Sequence, residues 1–301
     1  MPKGAVLAFA VLRNEALRLP SWMAHHRRLG VDRFLIVDNA SDDGSADWLA
    51  SQPDVLLWTT DAPYRNARFG MDWLTALLWR YGHGHWCLTL DGDEFFVYAH
   101  HETRTLRALT DWLSSEGIVA MGALMLDLYP RGPLSATTCA PGDDPLAVLS
   151  WFDAGNHVVV RQSRLRNLWV QGGPRARTFF ASDPRRAPTL SKMPLVRWDR
   201  RYAYVSSTHS LLPPRLNDLQ PAAKGEAPTG LLLHTKFLAD IGARSTEERT
   251  RRQHFENSTL YEDYRSALIN DPVLWCEGST RLTGGWRQLE ALGLMSRGGW
   301  A

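Results

Sequence analysis

Cysteine is almost absent from this 301-residue chain, and the three copies, Cys87, Cys139 and Cys276, do not have the spacing of a metal site. An odd and low count excludes a disulfide framework and fits reduced, structural thiols in a cytoplasmic protein. Long apolar runs are also missing. The one after Met1-Pro2-Lys3-Gly4 is about eight residues, too short for a bilayer, and without a small-residue cleavage site no export signal is expected. Any membrane contact should therefore be peripheral. An excess of one charge is lacking too: 34 Lys and Arg against 32 Asp and Glu leave +2, which gives no general attraction for nucleic acid. Finally, the glycine-rich dinucleotide fingerprint is absent after the first apolar run, where Leu12-Arg13-Asn14-Glu15 stands, and there is no Walker-type loop. This argues against dehydrogenase and ATPase classes.

What is present describes a globular protein with one large core. Hydrophobic residues make up 44% and charged residues 22%, ordinary values for a folded domain. Tryptophan is abundant at 13 copies, and its flat apolar face suits a sugar ring as well as a core. Charge is unevenly spread. Between Arg161 and Arg201, ten Arg and Lys192 face only Asp183 and Asp199, so the segment carries 11 − 2 = +9. Such a segment is either a solvated face or a wall opposite an anionic ligand.

Apolar runs at Ala5–Leu12, Arg33–Val37, Val55–Thr59, Trp86–Leu90 and Ile118–Leu128 read as strands. Between them lie helical spacings: Leu19-Pro20 through Leu29, closed by Gly30; a short helix with Trp48 and Leu49; Met71, Leu74, Leu78 and Tyr81; and Leu106, Leu109 and Leu113. This alternation predicts an α/β fold with a mostly parallel sheet and helices on both faces. Residues 129–157 are rich in Pro and Gly and predict a long loop. Short strands follow at His157–Val160, Leu195–Trp198 and Leu231–Leu233. Residues 245–269 turn helical and charged, and Trp286, Leu289, Leu292 and Leu294 predict a last helix.

Ligands of such sheets sit beyond the carboxyl ends of the strands. Those ends carry Asn14-Glu15, Asp38-Asn39 and Asp91-Gly92-Asp93. Two carboxylates flanking a glycine can hold a divalent cation against phosphate oxygens, because glycine permits close ligand approach; the same tripeptide can also be a simple turn. Mn²⁺ or Mg²⁺ suits an oxygen-rich site. His234, which follows an apolar strand two residues before Lys236, is the first choice for an added imidazole ligand, with His209 the competitor. Lys236 would then point at the same phosphates.

The order and spacing of Arg13-Asn14-Glu15, Val37 through Ser45, Leu90-Asp91-Gly92-Asp93-Glu94-Phe95 and His234-Thr235-Lys236-Phe237 resemble the family 2 glycosyltransferases of the GT-A fold, within them a bacterial group with Arg-Asn-Glu after the first strand. The resemblance covers most of the chain. It implies a GT-A domain over 1–240, split into a nucleotide-binding half (1–128) and an acceptor-side half (129–240), with a helical extension over 241–301. It further implies a nucleotide-sugar donor, commonly a uridine diphosphate sugar, and inverting hexosyl or N-acetylhexosaminyl transfer to a hydroxyl of a glycan. Asp91-Gly92-Asp93 would be the family's DXD motif, with Asp91, Asp93 and His234 at the metal. Glu15 and Asp38 would lie by the base and ribose and Asp91 and Asp93 by the metal and diphosphate, with Asn14 and Lys236 as further donor-binding residues. Arg68 would close on the donor, or else form a helix-surface ion pair.

An inverting transfer needs a base for the acceptor proton. Asp127, before Tyr129-Pro130, and Asp153, in the long loop, are the candidates, though both suit turns, and the Glu-Asp pair typical of other branches is missing. Lys192, Arg197 and Gly172-Gly173-Pro174-Arg175 are candidates for further diphosphate or acceptor contacts. Two other classes use similar residues: a nucleotidyltransferase or phosphohydrolase working through the same acidic site, and a non-catalytic carbohydrate-binding protein relying on the tryptophans.

Overall fold

The structure is a computed structural model that describes residues 1–205, 207–219, 226–251, 264 and 266–301. Strands form on the apolar runs: β1 (Val6–Leu12), β2 (Arg33–Asp38), β3 (Val55–Thr59), β4 (Trp86–Thr89), β5 (Glu94–Val97) and β6 (Ala120–Asp127). Later come β7 (Trp151–Phe152), β8 (Val158–Arg161), β9 (Leu168–Gln171), β10 (Ser191–Arg197), β11 (Ala203–Tyr204), β12 (Leu211–Leu212), β13 (Thr229–His234) and β14 (Thr280–Arg281). Eight of them make one mixed sheet in the order β3-β2-β1-β4-β10-β6-β13-β5. Six run the same way; β10 is antiparallel to both β4 and β6, and β5 is antiparallel to β13. The sheet is thus mostly parallel.

The central strands are continuous in apolarity because both faces are covered. Along β1, Val6, Ala8, Ala10 and Leu12 enter one core, while Ala5, Leu7 and Phe9 enter the other, following the two-residue period of a strand. The first core is closed by α1 (Leu19–Leu29) and α4 (Leu106–Ser115), and by the helix Gly285–Ala291 with Trp286 and Leu289. The short α2 (Ser45–Ala50) adds Leu49 to it. The second core is closed by α3 (Met71–Leu77). As its sequence predicts, α1 ends at Gly30, whose φ of 98° is the left-handed conformation of a helix stop. The long loop holds β7 and the one-turn α5 (Pro145–Val148), and is followed by α6 (Gly173–Phe179). A third apolar cluster joins Tyr129, Phe180, Phe237 and Ile241, the last on α7 (Ile241–Arg251). Of the segment 245–269 expected to be helical, residues 252–263 and 265 lie outside the described residues.

Two neighbouring histidines on α1 face the first core, where only neutral rings fit. His25 Nε2 donates to Phe96 O at 2.8 Å; His26 Nδ1 donates to Trp22 O at 2.8 Å while its Nε2 accepts from Phe96 N–H at 3.3 Å. Burial lowers both, His25 to about 4 and His26 well below its usual value. A histidine whose folded pKa is depressed favours the folded state above its unfolded pKa and loses that ground as pH falls toward the folded one. Urea unfolding should therefore show stability falling by about 3 kcal/mol from His25 alone between pH 6.5 and about 4. His25→Gln should flatten that slope. An unchanged slope would contradict a neutral His25.

Candidate active site

The carboxyl ends of β1, β4, β6 and β13 converge on a cleft of about 330 Å³ lined by Asn14, Glu15, Asn39, Asp91, Gly92, Asp93, His234 and Lys236. Thus residues far apart in sequence share one surface because parallel strands end on the same edge. The β13–β5 pairing sets His234 opposite Glu94, and the β13–β6 pairing sets it beside Asp127. Thr235 fastens the two motifs, donating to Asp93 O from its backbone N at 2.8 Å and from its hydroxyl at 3.0 Å.

His234 lies between two carboxylates. Its Nδ1 is 2.6 Å from Asp127 Oδ1 and its Nε2 is 3.1 Å from Asp93 Oδ2. Burial opposes charge on the ring, but Asp93 and Asp127 outweigh it and raise the imidazole to about 9. Burial likewise opposes ionisation of Asp93, yet His234, then Arg244 and Arg18, hold it well below the usual carboxylate range. Asp127 is held at about 2: burial works against this, and the Arg175 guanidinium, whose Nε donates to Asp127 Oδ2 at 2.7 Å, overcomes it together with His234. Arg175 stands on α6, which begins after Gly172 (φ 154°), where an added Cβ would come 2.5 Å from Asn156 O.

Around this centre the charges are paired and largely buried. Lys192, on β10 and 4% exposed, has its Nζ 2.6 Å from Asp91 Oδ2 and 2.5 Å from Glu94 Oε1, and Glu94 is fully buried. Burial pulls the ammonium down, but the two carboxylates outweigh it and raise it above its usual value. Glu94 Oε2 also accepts from Asp91 N–H at 3.0 Å. On the other side Glu15 pairs with Arg244 of α7 and with Arg18 at 3.3 Å, and Arg18 forks onto Asp240 with two bonds of 2.9 Å. Burial raises the Glu15 carboxyl against the pull of both arginines.

Arg13, Arg175, Lys192, Lys236 and Arg244 line the cleft, but Lys192 is paired with Asp91 and Glu94, Arg175 with Asp127, and Arg244 with Glu15 and Asp240, so much of this positive charge is already offset by buried carboxylates.

Gly92 is required by this packing. A Cβ there would meet Leu12 Cδ2 at 2.8 Å and Glu15 Cγ at 2.9 Å. Gly92→Ala should displace Glu15 and lower the unfolding free energy by roughly 1–3 kcal/mol, as overpacking of a filled site does. Thermal unfolding of the purified variant measures this; an unchanged midpoint would show that Glu15 and Leu12 yield freely.

The remaining sequence candidates are spread differently. Asp38 ends β2 and is buried, accepting from Ser41 N–H at 3.0 Å and from the Ser41 hydroxyl, which shapes the loop beside Asn14. Asn14 has a left-handed backbone (φ 52°), and its Oδ1 accepts from Asp42 N–H at 3.0 Å. Lys236 sits over the Tyr264 ring at 5.7 Å. Arg68 is half exposed, pairs with Asp72 at 2.6 Å one helical turn on, and is not among the lining residues of the cleft. Asp153 belongs to a separate network: Tyr129 Oη donates to it, and Arg177 Nε does so at 2.7 Å. His209 lines the cleft with Nδ1 2.6 Å from Ser191 O, and burial lowers it to about 4.

Sequence reasoning did not single out Arg18, Glu94 or Arg244. Arg18 had a signal, since it lies four residues before Trp22 on the buried face of α1. Arg244 had none, because its pairing spans 229 positions.

The donor set suits a hard divalent cation on one point of geometry. Such ions hold N and O ligands at about 2.1 Å, so two ligands at right angles stand about 3.0 Å apart. The 3.1 Å between Asp93 Oδ2 and His234 Nε2 is close to that spacing but is spanned by a hydrogen bond of the raised imidazole, so a cation held by both groups would have to displace the Nε2 proton; Asp127 on Nδ1 is the kind of partner that orients a ligating imidazole. Among the described residues no group of three or more His, Cys, Asp and Glu side chains converges as a metal cluster. A cation here would rely on the ligand's own oxygens for the rest of its shell.

No protein-family model matches the chain. Over 101 residues, 31% of this chain and 16% of the other, it is 30% identical to a glycosyltransferase family 92 protein of Oryza sativa subsp. japonica. Over 142 residues, 42% of this chain and 23% of the other, it is 27% identical to a glycosyltransferase family 92 protein of Arabidopsis thaliana. The matches thus span less than a quarter of those curated relatives, and they point to family 92, whereas the motifs resemble family 2. A Bacillus anthracis structure described as a glucose-1-phosphate thymidylyltransferase aligns over 96% of both chains with a TM-score of 0.34 and 10% identity, too remote to bear on function. No helix among the described residues is long and apolar enough to cross a membrane.

Proposed function

We propose that the chain is a glycosyltransferase that moves a sugar from a nucleotide diphosphate, commonly uridine diphosphate, to a hydroxyl of a glycan or related acceptor, with a divalent cation at Asp93 and His234. One observation carries this reading: the acidic tripeptide and His234-Thr235-Lys236 meet at the strand ends, with Asp93 Oδ2 3.1 Å from His234 Nε2 in a cleft that Arg13, Arg175, Lys192 and Lys236 also line. The partial likeness to family 92 glycosyltransferases of plants supports it. Mn²⁺ or Mg²⁺, when bound, supplies a Lewis acid for the charge that develops on the leaving diphosphate.

The chain's own groups do the rest. Lys192, Lys236 and Arg175 stand beside the proposed diphosphate; Lys192 is held by Asp91 and Glu94 and Arg175 by Asp127, so these two donors are fixed in place before a ligand arrives. Asp127 holds the His234 ring by Nδ1 and thereby fixes which nitrogen faces Asp93. Both Asp127 oxygens are engaged, by His234 and Arg175, so we assign it to positioning, and Asp153 to the Tyr129–Arg177 network that braces the loop. Glu15 and Asn14 frame the nucleoside side of the cleft.

A panel of nucleotide sugars, screened by thermal shift with and without Mn²⁺ and followed by product analysis, tests the reading. A selective, Mn²⁺-dependent rise in midpoint and release of nucleoside diphosphate with a new glycoside are expected. Release of free pyrophosphate would instead indicate nucleotidyl transfer.

A further inference from the structure

We propose that a second cavity of about 280 Å³ beside the cleft receives an apolar portion of the acceptor, so that the preferred acceptor is an amphipathic alcohol, a sugar or hydroxyl group carrying an apolar aglycone. This rests on the glycosyl-transfer reading of the adjoining cleft. Lys192 and His209 line both cavities, so the two share a wall. The proposed binding mode sets a hydroxyl at that boundary, toward the cleft, with the body attached to it in the second cavity.

The lining sets the chemistry. Leu124, Leu168, Val170, Met193 and Leu294 supply apolar surface from β6, β9, β10 and the C-terminal segment. Among them sits Asn167, 4% exposed. Its Nδ2 donates to His209 O at 3.4 Å, but its Oδ1 has no hydrogen-bond partner among the described residues. A buried carbonyl oxygen left unpaired is costly; its own surface is closed to a water-sized group, so a ligand O–H or N–H would reach it only if the Asn167 side chain turned toward the cavity. The opening carries the same character. Val159 lines the cavity yet is 57% exposed, so an apolar side chain stands at its opening, on the opposite face of β8 from Val158 and Val160.

The test measures binding of n-alkyl β-glucosides, methyl to octyl, below their micelle concentrations, by calorimetry on the whole chain. Octyl glucoside should bind tenfold or more tightly than methyl glucoside, since each buried methylene alone contributes about fourfold. Val159→Asp, at an exposed position, and Leu168→Trp, which fills the cavity, should each remove that gain while the thermal shift with uridine diphosphate and Mn²⁺ stays as in the wild type. Equal affinity along the series, or a gain that survives both substitutions, would overturn the proposal. A chain-length gain abolished by both substitutions, in a protein that binds no nucleotide sugar, would keep the apolar site and sink the transfer reading instead.

Discussion

Asp93→Asn should abolish Mn²⁺-dependent turnover, lowering it on the order of 10³-fold or more, because a lost cation contact removes several kcal/mol of charge stabilisation from the transition state. The substitution is nearly isosteric and keeps the backbone carbonyl that receives both Thr235 bonds, so the link between the β4 end and β13 persists. What disappears is the carboxylate facing His234 Nε2 at 3.1 Å. Steady-state assay with the donor found in the nucleotide-sugar screen measures the loss, and circular dichroism checks the fold. Retention of a tenth or more of the wild-type rate would place the chemistry elsewhere.

Lys192→Met should be the most destabilising single change at the cleft, costing about 3–5 kcal/mol, because it strands the fully buried Glu94 carboxylate. Burial already raises Glu94, and Lys192 is the main group opposing that rise. Without Lys192 the folded pKa climbs further above the unfolded value. The native variant then binds a proton that the unfolded chain lacks, so its deficit relative to wild type narrows as pH falls. The acid loss from His25 is common to both proteins and cancels in the difference. Urea unfolding of both at pH 7.5 and 5.5 measures this, and Glu94→Gln added to Lys192→Met should restore part of the loss. A deficit under 1 kcal/mol at pH 7.5 would contradict the buried pair.

Much of the cleft was legible in the sequence because its signals are local. β1, β2, β3 and β4 each read as an apolar run ending in polar residues, and parallel strands put Asn14, Glu15 and Asp91-Gly92-Asp93 on one edge without further information. β5 was not read, since Glu94-Phe95-Phe96 follows the acidic turn directly and its pairing is to β13, more than 130 positions later. Nor could β10 be placed between β4 and β6: its antiparallel entry depends on long-range pairing, and that entry brings Lys192 to Asp91 and Glu94. The basic segment was read as either a solvated face or an anion wall, and it divides. Arg175 and Lys192 line the cleft, while Arg161 and Arg166 pair with Asp218 at the surface. Asp127 and Asp153 show how partners decide a role. The sequence places both near the crevice, but only contact geometry shows that His234 and Arg175 occupy one and Arg177 the other.

In the proposed reaction, Asp93 and His234 fasten a diphosphate through a divalent cation. Calorimetric titration of uridine diphosphate into the wild type and Asp93→Asn, each with Mn²⁺ and with excess chelator, tests it directly. Mn²⁺ should tighten wild-type binding by roughly tenfold or more, about 1.4 kcal/mol, and this gain should vanish in Asp93→Asn. Equal wild-type affinity with Mn²⁺ and with chelator would contradict it.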